Sequence, residues 1–394
     1  MPSRSRLQLT PTERRTSIAL AGLFACRMLG LFLLLPVFAV AARGLPGGDD
    51  PARVGLAMGI YGLTQAVLQI PFGLASDRFG RRPIVLLGLA LFVIGSVVCA
   101  LSPDVFWITI GRAVQGAGAI SAAITAWLAD ATRDEVRTRA MAMVGASIGV
   151  SFAVSLVAAP LLVGWWGLAG LFWTIACLGV VSFAVARWWV PVAPQSTDRS
   201  MRGARPAHVL LHGDLLRLNF GVFCLHLIQV SLFVVVPSML AHLRGLDVEN
   251  LWEVYLPVIV ASFVFMVPVV FMAEKNRAHR GALLAAIAGL IVVLALMRWG
   301  MGSFEVMVVL LTCFFVMFNV LEALQPSLVS RLAPAGYKGL ALGFYNTSQA
   351  AGLFCGGAVG GLLAAHGGAP SVFIAVAGLA AVWLAVTWGL RPLT

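Results

Sequence analysis

Four ionisable side chains lie inside long apolar runs of this sequence: Arg27, Arg112, His226 and Glu322. An ion in hydrocarbon costs about 3 kcal/mol or more, so such groups mark proton relays, ligand sites or counter-ions. Glu322 stands in mid-run with Asn319 one turn before it, and both are expected to point into a shared space. A carboxyl there can exchange a proton, or it can be neutralised by an arginine. His226 shares a helical stripe with Asn219 and Gln229. Imidazole titrates near neutral pH, so a proton relay and a packing histidine are the alternatives. Arg112 lies about eight residues into its run, with Gln115 one turn on, and either reaches a cavity or snorkels to the interface. Gln65 with Gln69, and Asn346 with Gln349, also fall at one-turn spacing. These amides are candidate cavity-lining groups, although hydrogen bonds between helices would give the same pattern.

The elements that must position them follow from composition. Of 394 residues, 60% are hydrophobic and 11% charged, whereas a soluble domain carries roughly a quarter charged residues. The apolar residues fall into segments of about 20, the length that crosses a bilayer as a helix. Twelve such spans are expected, at 17–42, 54–75, 83–102, 105–129, 138–163, 166–190, 217–242, 252–273, 281–299, 303–329, 339–364 and 370–390. Ala39-Val40-Ala41 is a passable cleavage site after a basic start, so a signal peptide must be weighed. The run from Ser17 to Ala42 is too long for one and contains Arg27, so it is expected to be a retained first span. The six cysteines sit within apolar runs without a CxxC pair, which fits packed thiols and gives no metal site. The net charge of +11 is spread over short loops with no basic domain, which argues against a nucleic-acid partner. No HExxH or Walker A sequence is present, so neither an enzyme nor a self-contained ATP-driven pump is expected, and no cofactor.

Cations are retained on the cytoplasmic side of short loops. Placing both termini in the cytoplasm puts 21 of the 27 Lys and Arg there and leaves only Arg43, Arg53, Arg244 and Arg298 outside. The stretch 191–216 lacks an apolar run and reads as a cytoplasmic linker between an N-terminal unit, 1–190, and a C-terminal unit, 217–394. Gly352-xxx-Gly356, Gly357-xx-Gly360-Gly361 and the stripe Ser147, Ser151, Ser155 are expected at helix–helix contacts. Pro36, Pro71, Pro160, Pro237 and Pro326 permit bends.

The loop after the second span reads Gly73-Leu-Ala-Ser-Asp77-Arg78-Phe-Gly80-Arg81-Arg82. It matches in full the GxxxDRxGRR signature of the major facilitator superfamily, which this chain resembles over essentially its whole length. With Arg27-Met-Leu-Gly, the run Gly59 to Gly73, Glu322-Ala-Leu and Pro334-Ala-Gly-Tyr-Lys338-Gly, it is most similar to the YajR-type branch of the drug:proton antiporters. The protein for which that branch is named carries an extra soluble C-terminal domain, which is not expected here because the sequence stops at Thr394. The resemblance implies a conformational latch in which Asp77 faces the start of the eleventh helix and pairs with Arg81 and Asp130. Arg112-Ala-Val-Gln115-Gly116-Ala-Gly118 resembles a second family motif, which implies proton transfer or substrate binding by Arg112. The antiporter glycine-proline motif of the fifth span is degraded: Ala159 precedes Pro160, and Val163-Gly164 stands where a glycine pair is expected.

The expected fold is therefore an all-α membrane protein: twelve transmembrane helices in two six-helix bundles related by a pseudo-twofold axis, embedded in the bacterial inner membrane as a monomer. The expected function is proton-coupled antiport of a small amphipathic solute by alternating access. Two rivals remain: a transporter of a small organic anion held by Arg27 and Arg112, and a non-transporting receptor that keeps the fold.

Overall fold

The computed structural model describes residues 9–191, 211–334 and 337–391, the side chains of residues 134, 135 and 138 excepted. Most of the expected linker, Arg4 and Arg6 of the basic start, and positions 335–336 lie outside this set. Hydrocarbon offers no hydrogen bonds, so a crossing segment must satisfy its backbone internally, as a helix does. Among the described residues there is no strand, and nine apolar helices are long enough to cross a bilayer.

Two of the nine are 51 residues long and contain one non-helical glycine each, Gly167 (φ 66°) and Gly368 (φ 65°), where the chain turns over. Glycine alone adopts that conformation freely. Dividing them there, and counting the fourth span, gives α1 Pro11–Phe32, α2 Pro51–Phe79, α3 Arg81–Ala100 and α4, built from Val105–Ala117 and Ser121–Asp130. After these come α5 (134–166), α6 (168–184), α7 Gly213–Arg244, α8 Trp252–Lys275, α9 His279–Gly300, α10 Phe304–Leu332, α11 (338–367) and α12 (369–388). The two glycine breaks separate α5 from α6 and α11 from α12, so the halves repeat one pattern. Helices α1–α6 form one bundle and α7–α12 the other.

Local chemistry sets the ends. Thr10 and Glu13 form a capping box at α1, and Asp50 with Pro51, Asp104 and Ser303 cap α2, α4 and α10. Gly80, at φ 96°, allows the sharp reversal from α2 to α3. The first expected span is interrupted at residues 33–37, around Pro36, and resumes as Phe38–Ala41. The fourth is broken at Gly118, because the chain there runs against α3: a Cβ on Gly118 would lie 2.3 Å from the Gly88 carbonyl oxygen. The seventh helix starts at Gly213, four residues before the expected edge, in a polar first turn where Asp214 holds Arg217 at 2.7 Å. Seven of the eight exposed tryptophans among the described residues lie at helix ends: Trp107, Trp165, Trp166 and Trp299 towards the Pro46 loop, Trp188, Trp189 and Trp388 towards the Gly80 loop. That is the aromatic belt of a membrane protein.

Small residues bring the helices together. Gly352, Gly356 and Gly360 of α11 lie against Phe223, Leu227 and Ser231 of α7. On its neighbouring face, Gly357 and Gly361 meet Gly55 of α2, joining the two bundles. Ser151 Oγ donates to the Ala25 carbonyl at 3.1 Å, which ties α5 to α1.

Candidate functional site

In the second bundle α7, α10 and α11 bring His226, Glu322 and Gln349 together. His226 is buried; its Nδ1 lies 3.0 Å from the Val222 carbonyl and its Nε2 lies 2.7 Å from Gln349 Nε2. A ring nitrogen can meet a carbonyl only by donating, so Nδ1 carries the hydrogen and Nε2 accepts from the Gln349 amide. In this arrangement the imidazole is neutral. Glu322 Oε2 stands 3.7 Å from the same Nε2, too far for a hydrogen bond, and has no hydrogen-bond partner among the described residues. The Glu322 side chain is 23% exposed, and Tyr345 of α11 lies within electrostatic range of it. Asn319 does not join this group. Its amide donates to Ser262 on α8 at 3.0 Å, within its own bundle.

The first bundle carries the opposite charge. Arg27 donates from Nη1 to Ser121 at 2.5 Å, and Arg112 donates to Gln115 at 2.9 Å and to the Gly30 carbonyl at 3.2 Å. Gln115 in turn donates to Ser96 at 2.7 Å. Both guanidinium groups lie over the Tyr61 ring, 5.7 Å and 4.8 Å from its centroid, an arrangement in which the ring face attracts the cation. Nε and Nη2 of each arginine are buried without a hydrogen-bond partner, and neither arginine makes an ion pair among the described residues. Arg112 is fully buried, so it does not snorkel.

An aromatic cluster joins the two bundles beside these centres. Phe152 of α5 meets Phe32 of α1 in its own bundle and Phe233, Phe315 and Phe318 of the other, with ring centroids 5.2–6.4 Å apart. Phe318 also packs edge-on against His226 at 5.9 Å. Towards the Pro46 loop the bundles are tied by Tyr255 to the Pro36 carbonyl (3.3 Å) and Ser238 to the Ala39 carbonyl (3.0 Å). Nearer the Gly80 loop, a Cβ on Gly339 or Gly343 of α11 would meet nothing within 4 Å.

The expected cavity residues are buried or half-buried in the interior. Gln65 and Gln69 face each other at 3.5 Å, and Gln69 reaches the Gly343 carbonyl of α11 at 3.4 Å. Gln229 is buried with both amide atoms unbonded, while Asn219 and Asn346 are half-buried. A recess of about 400 Å³ opens at the Pro46 end between Arg43, Val54, Val234, Ser238 and Ala364, and none of the expected cavity residues lines it.

At the Gly80 end Arg81 holds two acids, Asp130 at 2.8 Å and Asp77 one turn before it. Its Nη1 also bonds Ser76, which itself bonds the Gly73 carbonyl at 2.7 Å. Arg82 donates to the Val190 carbonyl and lies over Trp127, and Arg78 lies over Phe79. Asp77 is 53% exposed, and no hydrogen bond or ion pair joins it to α11 among the described residues.

Tyr61, Ser96, Ser121 and Tyr345 were not among the expected site residues. Tyr61 could have been found from its spacing, because Tyr61, Gln65 and Gln69 share one face of α2, as Tyr345 and Gln349 share one face of α11. Ser96 and Ser121 give no such signal.

Residues 20–354 match the family model of the Major Facilitator Superfamily. The chain is 44% identical over 383 residues to the inner membrane transport protein YajR of Escherichia coli (strain K12), covering 96% of this chain and 84% of that protein. It is 26% identical to the multidrug resistance protein MdtH of Yersinia pestis (strain Pestoides F), covering 84% of this chain and 82% of that one. Its fold matches the crystal structure of a D-xylose-proton symporter with a TM-score of 0.73 at 15% identity, covering 96% of this chain and 98% of that one. These are transporters and not enzymes. With its two helical bundles and apolar spans, this chain is a membrane transporter that belongs to the Major Facilitator Superfamily.

Proposed function

We propose that the chain is a proton-coupled antiporter of the bacterial inner membrane that exports a small amphipathic solute by alternating access. The observation that carries this reading is Glu322: an interior carboxyl whose Oε2 has no hydrogen bond and whose nearest basic group is a neutral imidazole 3.7 Å away. Such a group gains or loses a proton as its surroundings change, and each change alters the balance between two packings of the bundles. The multidrug-resistance relative supports export, and the distribution of Lys and Arg supports placing the Gly80 loop and both termini in the cytoplasm. Residues 1–190 and 217–394 are the two rocking units and 191–216 the link between them. Arg81 with Asp77 and Asp130 forms the latch at the cytoplasmic end.

The test begins with a thermal-shift screen of the purified protein against organic cations, organic anions and sugars. The hit is then added to proteoliposomes holding a pH-sensitive dye. Expected is proton movement coupled to solute flux in the wild type and none in Glu322→Gln. Solute flux without proton movement in the wild type overturns the coupling.

A second reading has its own observation. Arg27 and Arg112 hold unbonded N–H groups beside Tyr61 with no acid paired to them among the described residues, as a carboxylate- or phosphate-bearing solute would require. It requires anions to bind and cations to fail in the same screen, with binding lost in Arg112→Gln.

A further inference from the structure

Apart from the groups already described, the second bundle holds a row of buried polar groups. Gln325 follows Glu322 by one turn on α10, is fully buried, and makes no hydrogen bond through Oε1 or Nε2 among the described residues. Thr387 on α12 is also buried with its Oγ1 unbonded, and Trp383 lies one turn before it on the same face. Gly221 of α7 completes the wall: a Cβ there would fall 2.7 Å from Gln325 Oε1 and 2.8 Å from Trp383 Nε1. Towards the Gly80 end, the same face of α7 carries Arg217, whose guanidinium packs against Gly389 after α12 and bonds Asp214 at 2.7 Å. The Arg217 side chain is 35% exposed, so this pair forms the mouth of the row.

A buried amide with both ends unbonded destabilises a bundle, and leucine or methionine would fill the same space without that cost. Buried polar atoms that the protein leaves unpaired are the sites that ordered water occupies. Within each helix the groups are about one turn, roughly 5 Å, apart: Glu322 and Gln325 on α10, Trp383 and Thr387 on α12, Arg217 and Gly221 on α7, a gap that one water bridges. The titratable groups facing Glu322 are His226 from α7 and Tyr345 from α11. The His226 Nδ1 is held by Val222 and its Nε2 by Gln349, so neither nitrogen is directed along the row.

We propose that Glu322 exchanges its proton with the Gly80 side of the membrane through the interior of the second bundle, along a hydrated seam between α7, α10 and α12 formed by Gln325, Gly221, Trp383 and Thr387 and ending at Asp214 and Arg217. The solute would then use the space between the bundles, and the proton would not. Each transfer balances: the Glu322 carboxyl releases one proton to the adjacent water, each water accepts one and passes one on, and one proton leaves at the mouth while the side chains of the seam are unchanged. This rests on the reading of Glu322 as the proton carrier.

The test uses the full chain in lipid bilayers and needs no solute. Infrared difference spectra after a pH jump follow the carbonyl stretch of protonated carboxyls. A band that disappears in Glu322→Gln identifies the carrier, and its absence overturns both the carrier and the seam. With the band assigned, its rise time is measured in Gln325→Met and Gly221→Ala. The seam requires at least a tenfold slower rise in both, with the final amplitude of Gln325→Met unchanged and its thermal unfolding at an equal or higher temperature, and partial recovery in Gln325→Asn. Wild-type kinetics in Gln325→Met overturn the seam while leaving Glu322 as the carrier.

Discussion

Gly55 and Gly357 touch through their backbones: a Cβ on either would lie 2.2 Å from the carbonyl oxygen of the other. No side chain fits there unless α2 and α11 separate. This contact lies at the closed end of the molecule, where Ser238 and Tyr255 bond carbonyls of the other bundle. Gly357→Ala is expected to cost about 1–3 kcal/mol through overpacking. Gly357→Val should loosen that end, so that a cysteine replacing Ser238 reacts several-fold faster with a membrane-impermeant maleimide. An unchanged labelling rate would mean that the glycine contact does not hold the end shut.

The latch predicts a separation of stability from transport. Asp77 is half exposed, so Asp77→Asn is expected to change stability by less than about 1 kcal/mol while abolishing transport. Arg81 also bonds Asp130, whose side chain is only 8% exposed, and Arg81→Ala is expected to cost about 1–3 kcal/mol as well as transport. Denaturation in detergent and flux in liposomes check the two halves. Wild-type flux from Asp77→Asn would refute the latch.

The sequence announced the spans because twenty apolar residues in a row have few alternatives, and the Arg81 contacts because a loop motif carries all but one of their members. The centres were harder to read. Glu322 and Asn319 are three residues apart, which on a helix leaves their side chains about 60° apart. That angle is enough to send Asn319 to Ser262 on α8 and Glu322 towards α7. Phe152, Phe233, Phe315 and Phe318 give no contrast within apolar runs, and their meeting across the two bundles is a property of the fold alone. The break at Gly118 was hidden for the same reason, since it depends on the approach of Gly88 from α3.

The hydrogen-bonding pattern at His226 fixes a tautomer. Nδ1 donates to Val222, and Nε2 accepts from Gln349. Nitrogen NMR of histidine-labelled protein at neutral pH is expected to show His226 with its hydrogen on Nδ1. Gln349→Leu removes the donor to Nε2 and should shift that resonance without shifting Nδ1. An imidazolium signal in the wild type would mean that His226 and Glu322 form an ion pair, and the case for Glu322 as an unpaired proton carrier would fall.

Tyr61 faces two arginines with its ring while its hydroxyl makes no hydrogen bond. Ring and hydroxyl therefore have opposite effects. A desolvated cation over an aromatic face is worth about 2 kcal/mol, whereas an unbonded buried hydroxyl is a cost. Tyr61→Phe keeps the ring and removes the hydroxyl, so it should fold with equal or greater stability. Tyr61→Leu removes the face from both Arg27 and Arg112 and should cost about 2–4 kcal/mol, part of it from the lost volume. Chemical denaturation of the two variants separates these effects. A loss in Tyr61→Phe as large as in Tyr61→Leu would show that the hydroxyl is bonded, and that the arginines are held by something other than the ring.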